Sequence, residues 1–238
     1  MELDILAFGV HPDDVELSCS GTLMKHIDAG RKVGVIDLTR GELGSRGTAD
    51  TRTREAEEAS RLMGLEIRVN LEMEDGFFEN NEVNKRKIIE QLRRFKPKIV
   101  LCNAIDDRHP DHGRSSKMVS EACFLSGLRK VETSYQGERQ QSFRPSAVYH
   151  YIQDIYLKPD FVIDVSAYVE RKIEAIRAYK TQFYDPDSLE PQTPISGKEF
   201  FDFIKGKMMQ FGRPIGAEFA EGFTVERAPG VNDLFNLI

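Results

Sequence analysis

Two strand-length apolar runs, LDILAFGV at residues 3–10 and KIVLCN at 98–103, each lead into a His-Pro-Asp tetrad, His11-Pro12-Asp13-Asp14 and His109-Pro110-Asp111-His112. Runs that are apolar throughout suit strands covered on both faces, as in a parallel sheet. Helical and strand-like segments alternate around them. Helices are expected at 16–29, 51–63, 81–95 and from 112 to about 128, and strands at 32–38, 66–71, 147–152 and 161–165. The polar stretch 129–145 reads as a loop, and Ser166 as the cap of a helix over 167–182. An irregular segment at 183–197, with Pro186, Pro191 and Pro194, suits a wall or lid. A helix at 198–211, a late strand at 218–225 and an apolar tail able to dock on the body or on a neighbouring subunit complete the chain. Such alternation implies right-handed crossovers and an α/β, Rossmann-like, doubly wound, mostly parallel sheet with helices on both faces. Both tetrads then fall on the carboxyl rim of the strands, where ligands bind in such sheets.

Each tetrad places two ligand-type side chains three positions apart, and on a turn or helix residues i and i+3 share a face. His11 can converge with Asp14, and His109 with His112. A lone His-Pro-Asp is ordinarily a turn with a capping Asp. Here two copies hold three of the five histidines, and imidazole and carboxylate groups meeting at one point suit Zn²⁺, with Fe²⁺ able to use the same ligands. A catalytic zinc keeps three protein ligands and one open position for water, so one of the four is left over. Spacing does not say which histidine steps aside. Asp13, next to a ligand, can act as a general base, and a histidine beside Asp111 can serve an oxyanion or leaving group. This set suits hydrolysis of an amide or ester.

The length fits one domain, 1–238, with residues 1–130 carrying both tetrads and 131–238 the remaining strands, the lid segment and the last helix. A net charge of −6 without a basic stripe argues against nucleic acid. MELDILAFGV is too short and acidic for a signal peptide, and no apolar run approaches a bilayer span, so a cytoplasmic protein with no membrane partner is expected. Cys19, Cys102 and Cys123 read as buried free thiols. No G-x-G-x-x-G follows the first strand and there is no P-loop, so nothing implies a nucleotide.

HPDD after a short first strand, the helix opening ELSCSGTL, the loop TRGELGSRGT, HPDH at 109–112, TQF at 181–183 and AEGF at 220–223 together resemble the LmbE-like (PIG-L-like) zinc N-deacetylases, which remove acetyl from N-acetylglucosamine-containing substrates. Within that family the chain is most similar to the bacillithiol-pathway branch, which deacetylates N-acetylglucosaminyl malate. The resemblance implies that His11, Asp14 and His112 are the zinc ligands, Asp13 the general base, and His109 the protonated group that stabilises the oxyanion or protonates the amine, with Asp111 beside it. It also implies a homo-oligomer and a substrate-facing Arg52, whose guanidinium would suit a malate carboxylate. Arg40 and Glu42 can reach sugar hydroxyls from the same rim, and Arg108 can contact substrate or hold the second tetrad in shape. Tyr184 is the nearest candidate for a tyrosine at the oxyanion. The rival readings are deacetylation of another N-acetylglucosamine substrate such as a chitooligosaccharide, a phosphoesterase, which would need a second metal, and a non-catalytic sugar-binding protein.

Overall fold

The computed structural model describes residues 1–237. Its elements are β1 (Ile5–Gly9), α1 (Asp14–Asp28), β2 (Val33–Thr39), α2 (Ala49–Met63), β3 (Ile67–Met73), α3 (Glu82–Phe95), β4 (Ile99–Cys102) and α4 (Pro110–Ser126). A two-residue hairpin, β5 (Ser134–Tyr135) and β6 (Glu138–Arg139), follows. The chain continues through β7 (Ala147–Tyr151), β8 (Phe161–Asp164), α5 (Val169–Arg177), α6 (Phe200–Gly212) and β9 (Ala220–Val225). Seven strands form one sheet in the order β3-β2-β1-β4-β7-β9-β8. β1 pairs in parallel with β2 and β4, and β9 runs antiparallel to both β7 and β8. The protein is α/β with a mostly parallel, doubly wound sheet.

Alternation along β1 explains why the sheet needs helices on both faces. Leu6 and Phe8 pack with Ile88, Leu92, Met118 and Val119 of α3 and α4, while Ile5 and Ala7 pack with Val15, Cys19 and Leu23 of α1. α2 and α5 extend the second face through Ala59, Ile173 and Ile176. The chain leaves β1 toward β2 and β3, then crosses to β4 on the other side of β1. The order therefore reverses between β1 and β4, and the two tetrads follow these two strands. The three cysteines are buried and free.

The structure differs from the expected elements in four places. α4 begins at Pro110, so His109 is its N-cap and only the proline sits at N1, where its missing N–H costs nothing. The segment 129–145 contains the β5–β6 hairpin. Ser166 does not cap a helix through its side chain: it opens a short 3₁₀ turn and its hydroxyl donates to Asp164 Oδ1 at 2.7 Å. α5 stops at Arg177, because residues 178–183 turn away with Thr181 held by Glu55 at 2.8 Å and Gln182 by the Arg46 carbonyl at 2.8 Å. In the tail Val231, Leu234, Phe235 and Leu237 are exposed and do not dock on the body; Ile238 lies outside the described residues. No described helix is long and apolar enough to cross a membrane.

Candidate active site

The first tetrad turns sharply out of β1. Asp14 is the first residue of α1, and its carboxylate folds back: Oδ2 accepts the N–H groups of Val10 and His11 at 3.0 and 2.9 Å. Asp13 precedes it at φ 120°, a left-handed conformation that costs a non-glycine residue about 1–3 kcal/mol. It makes no side-chain cap, so the carboxylate that would ordinarily stabilise the helix end is left facing the cleft. Backbone strain that frees an acid in this way is a pattern associated with functional sites.

The second tetrad arrives on α4, and three imidazoles meet. One nitrogen from each of His11, His109 and His112 lies within 4.8 Å of the others. Asp14 sits between two of them, with His112 Nε2 at 3.2 Å from Oδ1 and His11 Nδ1 at 3.7 Å from Oδ2. The far nitrogens separate the three. His11 Nε2 donates to Asp75 Oδ1 at 3.0 Å with Asp111 Oδ2 at 3.5 Å, and His112 Nδ1 donates to Asp107 Oδ2 at 2.5 Å. A carboxylate behind an imidazole fixes its tautomer and raises its basicity, the usual support of a metal-binding histidine. His109 has no such carboxylate; its Nδ1 accepts the Asp111 N–H at 3.3 Å, which leaves the proton on Nε2.

Asp14 is held in turn by Asn103 Nδ2 at 2.9 Å and Gln153 Nε2 at 3.1 Å. The donor set of two imidazoles and one carboxylate, all buried and each braced from behind, fits a borderline divalent ion.

The electrostatics follow from burial and these partners. Burial alone would lower His11 and raise Asp14, but their neighbours win: Asp111, Asp14 and Asp75 hold His11 well above the usual imidazole range, and His112 and His11 hold Asp14 well below the usual carboxylate range. Against its burial, His112 is raised to about 9 by Asp14 and Asp107. Burial pushes Asp13 up to about 7, opposed by the Arg52 guanidinium 3.7 Å away. Burial, with His11 and His112, pushes His109 down. That direction works against the protonated form that the resemblance implied.

These groups open into a cleft of about 330 Å³. Arg52 and Arg108 line it, Arg52 bonded to Gln182 and Arg108 paired with Asp154. Arg40 and Glu42 do not line it. Arg40 is paired with Asp50, and Glu42 accepts the Arg40 and Asp75 N–H groups, so both serve the shape of their loop. Asp111 faces His11 and Arg114 rather than the His109 ring, which makes it a brace for the first tetrad. Tyr184 is about half exposed and lies outside the cleft. Ile195 from the segment 183–197 forms part of the wall, with Phe200, Phe203 and Ile204 of α6. A larger cavity of about 750 Å³, between α4, β7 and residues 226–230, contains no residue of either tetrad.

Asp75, Asp107, Asn103 and Gln153 escaped sequence reasoning. Each follows a strand of the sheet, Asp75 after β3, Asn103 and Asp107 after β4, and Gln153 after β7, so the rim itself was the available signal.

The family model described as "GlcNAc-PI de-N-acetylase" (PIG-L) matches residues 6–123, which span both tetrads. A diacetylchitobiose deacetylase of Thermococcus kodakarensis is 25% identical over 95% of this chain and 84% of its own length. The crystal structure of a conserved protein of Thermus thermophilus superposes with a TM-score of 0.85 at 33% identity, covering 98% of both chains. The N,N'-diacetylchitobiose deacetylase of Pyrococcus horikoshii superposes at 0.77 with 22% identity, over 98% of this chain and 88% of that one, a likeness of fold. With both tetrads inside the matched region and the whole chain superposing, the protein belongs to the PIG-L family of de-N-acetylases.

Proposed function

We propose that this N-deacetylase uses a single divalent ion, zinc or iron(II), held by His11, Asp14 and His112, to remove the acetyl group from an N-acetylglucosamine conjugate, N-acetylglucosaminyl malate being the preferred candidate. One observation carries the reading: two imidazoles braced by carboxylates turn their near nitrogens toward Asp14, while the neighbouring Asp13 is buried and makes no side-chain cap. A divalent ion in that position supplies Lewis-acid polarisation of the acetamide carbonyl and a water of lowered pKa.

The chain's own groups do the proton work. Asp13, poised at about 7 by burial, accepts the proton of the attacking water and returns it to the amine nitrogen as the C–N bond breaks. His109, whose Nδ1 accepts the Asp111 N–H and so leaves a proton on Nε2, donates a hydrogen bond to the oxyanion. Acetate leaves and the free amine remains. Arg52 stands 3.7 Å from Asp13 and restrains the rise of its pKa; as a cleft-lining cation it also suits a substrate carboxylate. Arg108, half exposed at the rim, suits the same class of group.

Likeness to a diacetylchitobiose deacetylase along nearly the whole chain supports a second reading, a neutral chitooligosaccharide as substrate. A fluorescamine assay of amine release on the malate conjugate, diacetylchitobiose and N-acetylglucosamine, with and without chelator, decides between them. The expected outcome is chelator-sensitive release, fastest on the malate conjugate. Faster release from diacetylchitobiose would move the substrate to the second reading, and no release from any of the three with a full metal complement would end the deacetylase reading.

A further inference from the structure

Among the described residues, Lys207 is the one cleft-lining cation that the reaction above does not use. It lies on the face of α6 that carries Phe200, Phe203 and Ile204, at the helical spacing i, i+3, i+4 and i+7, and all four line the cleft. Its ammonium donates to the Gln153 carbonyl oxygen and lies 5.9 Å from the Phe203 ring centroid. Among the described residues no carboxylate oxygen lies within 4.0 Å of it.

The carboxylates that face it at longer range are already taken. Asp154 is paired with Arg108. Asp107 accepts from His112 at 2.5 Å and from the Ile155 N–H at 2.7 Å, and Glu221 is paired with Lys172 at 2.6 Å. Burial, with Lys172, pushes Lys207 down to about 8, so at neutral pH it still carries its charge. A partly desolvated cation with two free N–H groups and no counter-ion is costly unless an anion completes it.

Its place relative to the ligands says which part of a substrate that anion belongs to. The Gln153 backbone carbonyl takes Lys207 while the Gln153 side chain donates to Asp14 at 3.1 Å, so one residue separates the ammonium from the metal-ligand set. In a 2-acetamido-2-deoxyglucoside the nitrogen-bearing carbon adjoins C1 and C3, and of these it is C1, the anomeric carbon, whose oxygen carries the aglycone. A substituent on the anomeric oxygen therefore lies next to the amide being cut.

We propose that Lys207 receives an anionic group, carboxylate or phosphate, on the anomeric substituent of the substrate, and so selects charged N-acetylglucosaminides over neutral ones. The inference deepens the deacetylase reading and rests on it.

The test compares the malate conjugate, N-acetylglucosamine 1-phosphate and the neutral methyl N-acetylglucosaminide in wild type, Lys207→Met and Lys207→Arg. A charge-assisted hydrogen bond is worth roughly a 10- to 100-fold change. Lys207→Met should reduce the ratio of kcat/KM for an anionic over the neutral substrate by that factor, mainly through KM, and Lys207→Arg should restore most of it. Loss on the malate conjugate alone identifies a carboxylate as the partner, and loss on the phosphate alone a phosphate. Equal losses on charged and neutral substrates, or an unchanged ratio, would overturn the proposal.

A second readout does not need turnover. Calorimetric titration of the zinc-loaded protein with malate and with inorganic phosphate should show at least one binding to wild type and binding about tenfold or more weaker to Lys207→Met. Equal affinities, or no binding of either anion to wild type, would overturn it. If wild type releases amine from no substrate while the titration still separates the variants, the deacetylase reading fails and the anion site stands.

Discussion

At the scale of the residue, Asp13 and Asp14 show how neighbouring carboxylates acquire opposite properties. Asp14 receives backbone N–H groups, two amides and two imidazoles, and is held ionised; Asp13 has one cation at 3.7 Å and the cost of burial, and sits near neutrality. Asp13→Asn should therefore keep its metal, measured by atomic absorption after dialysis, and lose about 10²–10⁴-fold in kcat. His11→Ala should lose metal and turnover together. Near-full activity in Asp13→Asn would remove it as the base. In wild type the acid limb of kcat/KM should fall at or below pH 7, because beneath its pKa Asp13 holds the proton it needs to accept. The imidazoles give an independent check. In the metal-free protein His11 and His112 both carry protons at pH 7, since their pKa values are raised, and a ligating nitrogen must shed its proton. Zinc binding at pH 7 should release protons, read from calorimetry in buffers of different ionisation enthalpy, and the share that comes from His112 should fade as pH rises past about 9. Zinc uptake at pH 7 with no proton release would mean that other groups take the metal.

At the scale of the element, the loop between β2 and α2 is built around the guanidinium of Arg52. Gly41 has φ +63°, and a Cβ placed there would stand 2.0 Å from Arg52 Nη1. Gly41→Ala should cost about 1–2 kcal/mol in backbone strain and displace Arg52 from Asp13. The result is a lower melting temperature together with a loss of kcat/KM that Arg52→Ala does not compound. Additive losses in the double variant would show that the glycine acts elsewhere. This loop also marks the limit of what the sequence discloses. The convergence of His11, Asp14, His109 and His112 was legible because each tetrad is a local pattern at a strand end, and local spacing carries over directly into a shared face. Arg40 and Glu42 could be read either way in the sequence, because a charged loop on the correct rim can serve a substrate or its own turn, and partners such as Asp50 and the Asp75 N–H appear only in the fold. Asp75 and Asp107 carry no motif, since each is defined by the imidazole it meets across the rim. Lys207 was hidden for the same reason, inside a helix that carries no motif.

At the scale of the whole molecule, β9 ties the second half of the chain to the first tetrad. Glu221 reaches from β9 into α1, where its two oxygens accept the N–H groups of Gly21 and Thr22 at 3.0 and 2.7 Å, and it pairs with Lys172 of α5 at 2.6 Å. Both charged side chains are about 1% exposed. Gly21 belongs to this contact, because a Cβ there would meet Glu221 Oε1 and Val165 at 3.0 Å. One acid thus joins the late antiparallel strand, the helix that begins with Asp14 and the helix that packs beside it. Removing one member of a buried pair leaves the other as an uncompensated charge, at a cost of about 3–5 kcal/mol. Glu221→Gln should therefore unfold at markedly lower urea, and Glu221→Gln with Lys172→Met should recover part of the loss, because no lone ammonium is left inside. If the pair only staples the halves together, zinc affinity per folded molecule should stay unchanged in the single variant. If it also sets the tilt of α1, affinity falls with stability and recovers in the double variant. Helical N–H groups bonded to a distant carboxylate favour the second outcome, since the position of α1, and with it Asp14, is then referred to β9 as well as to β1.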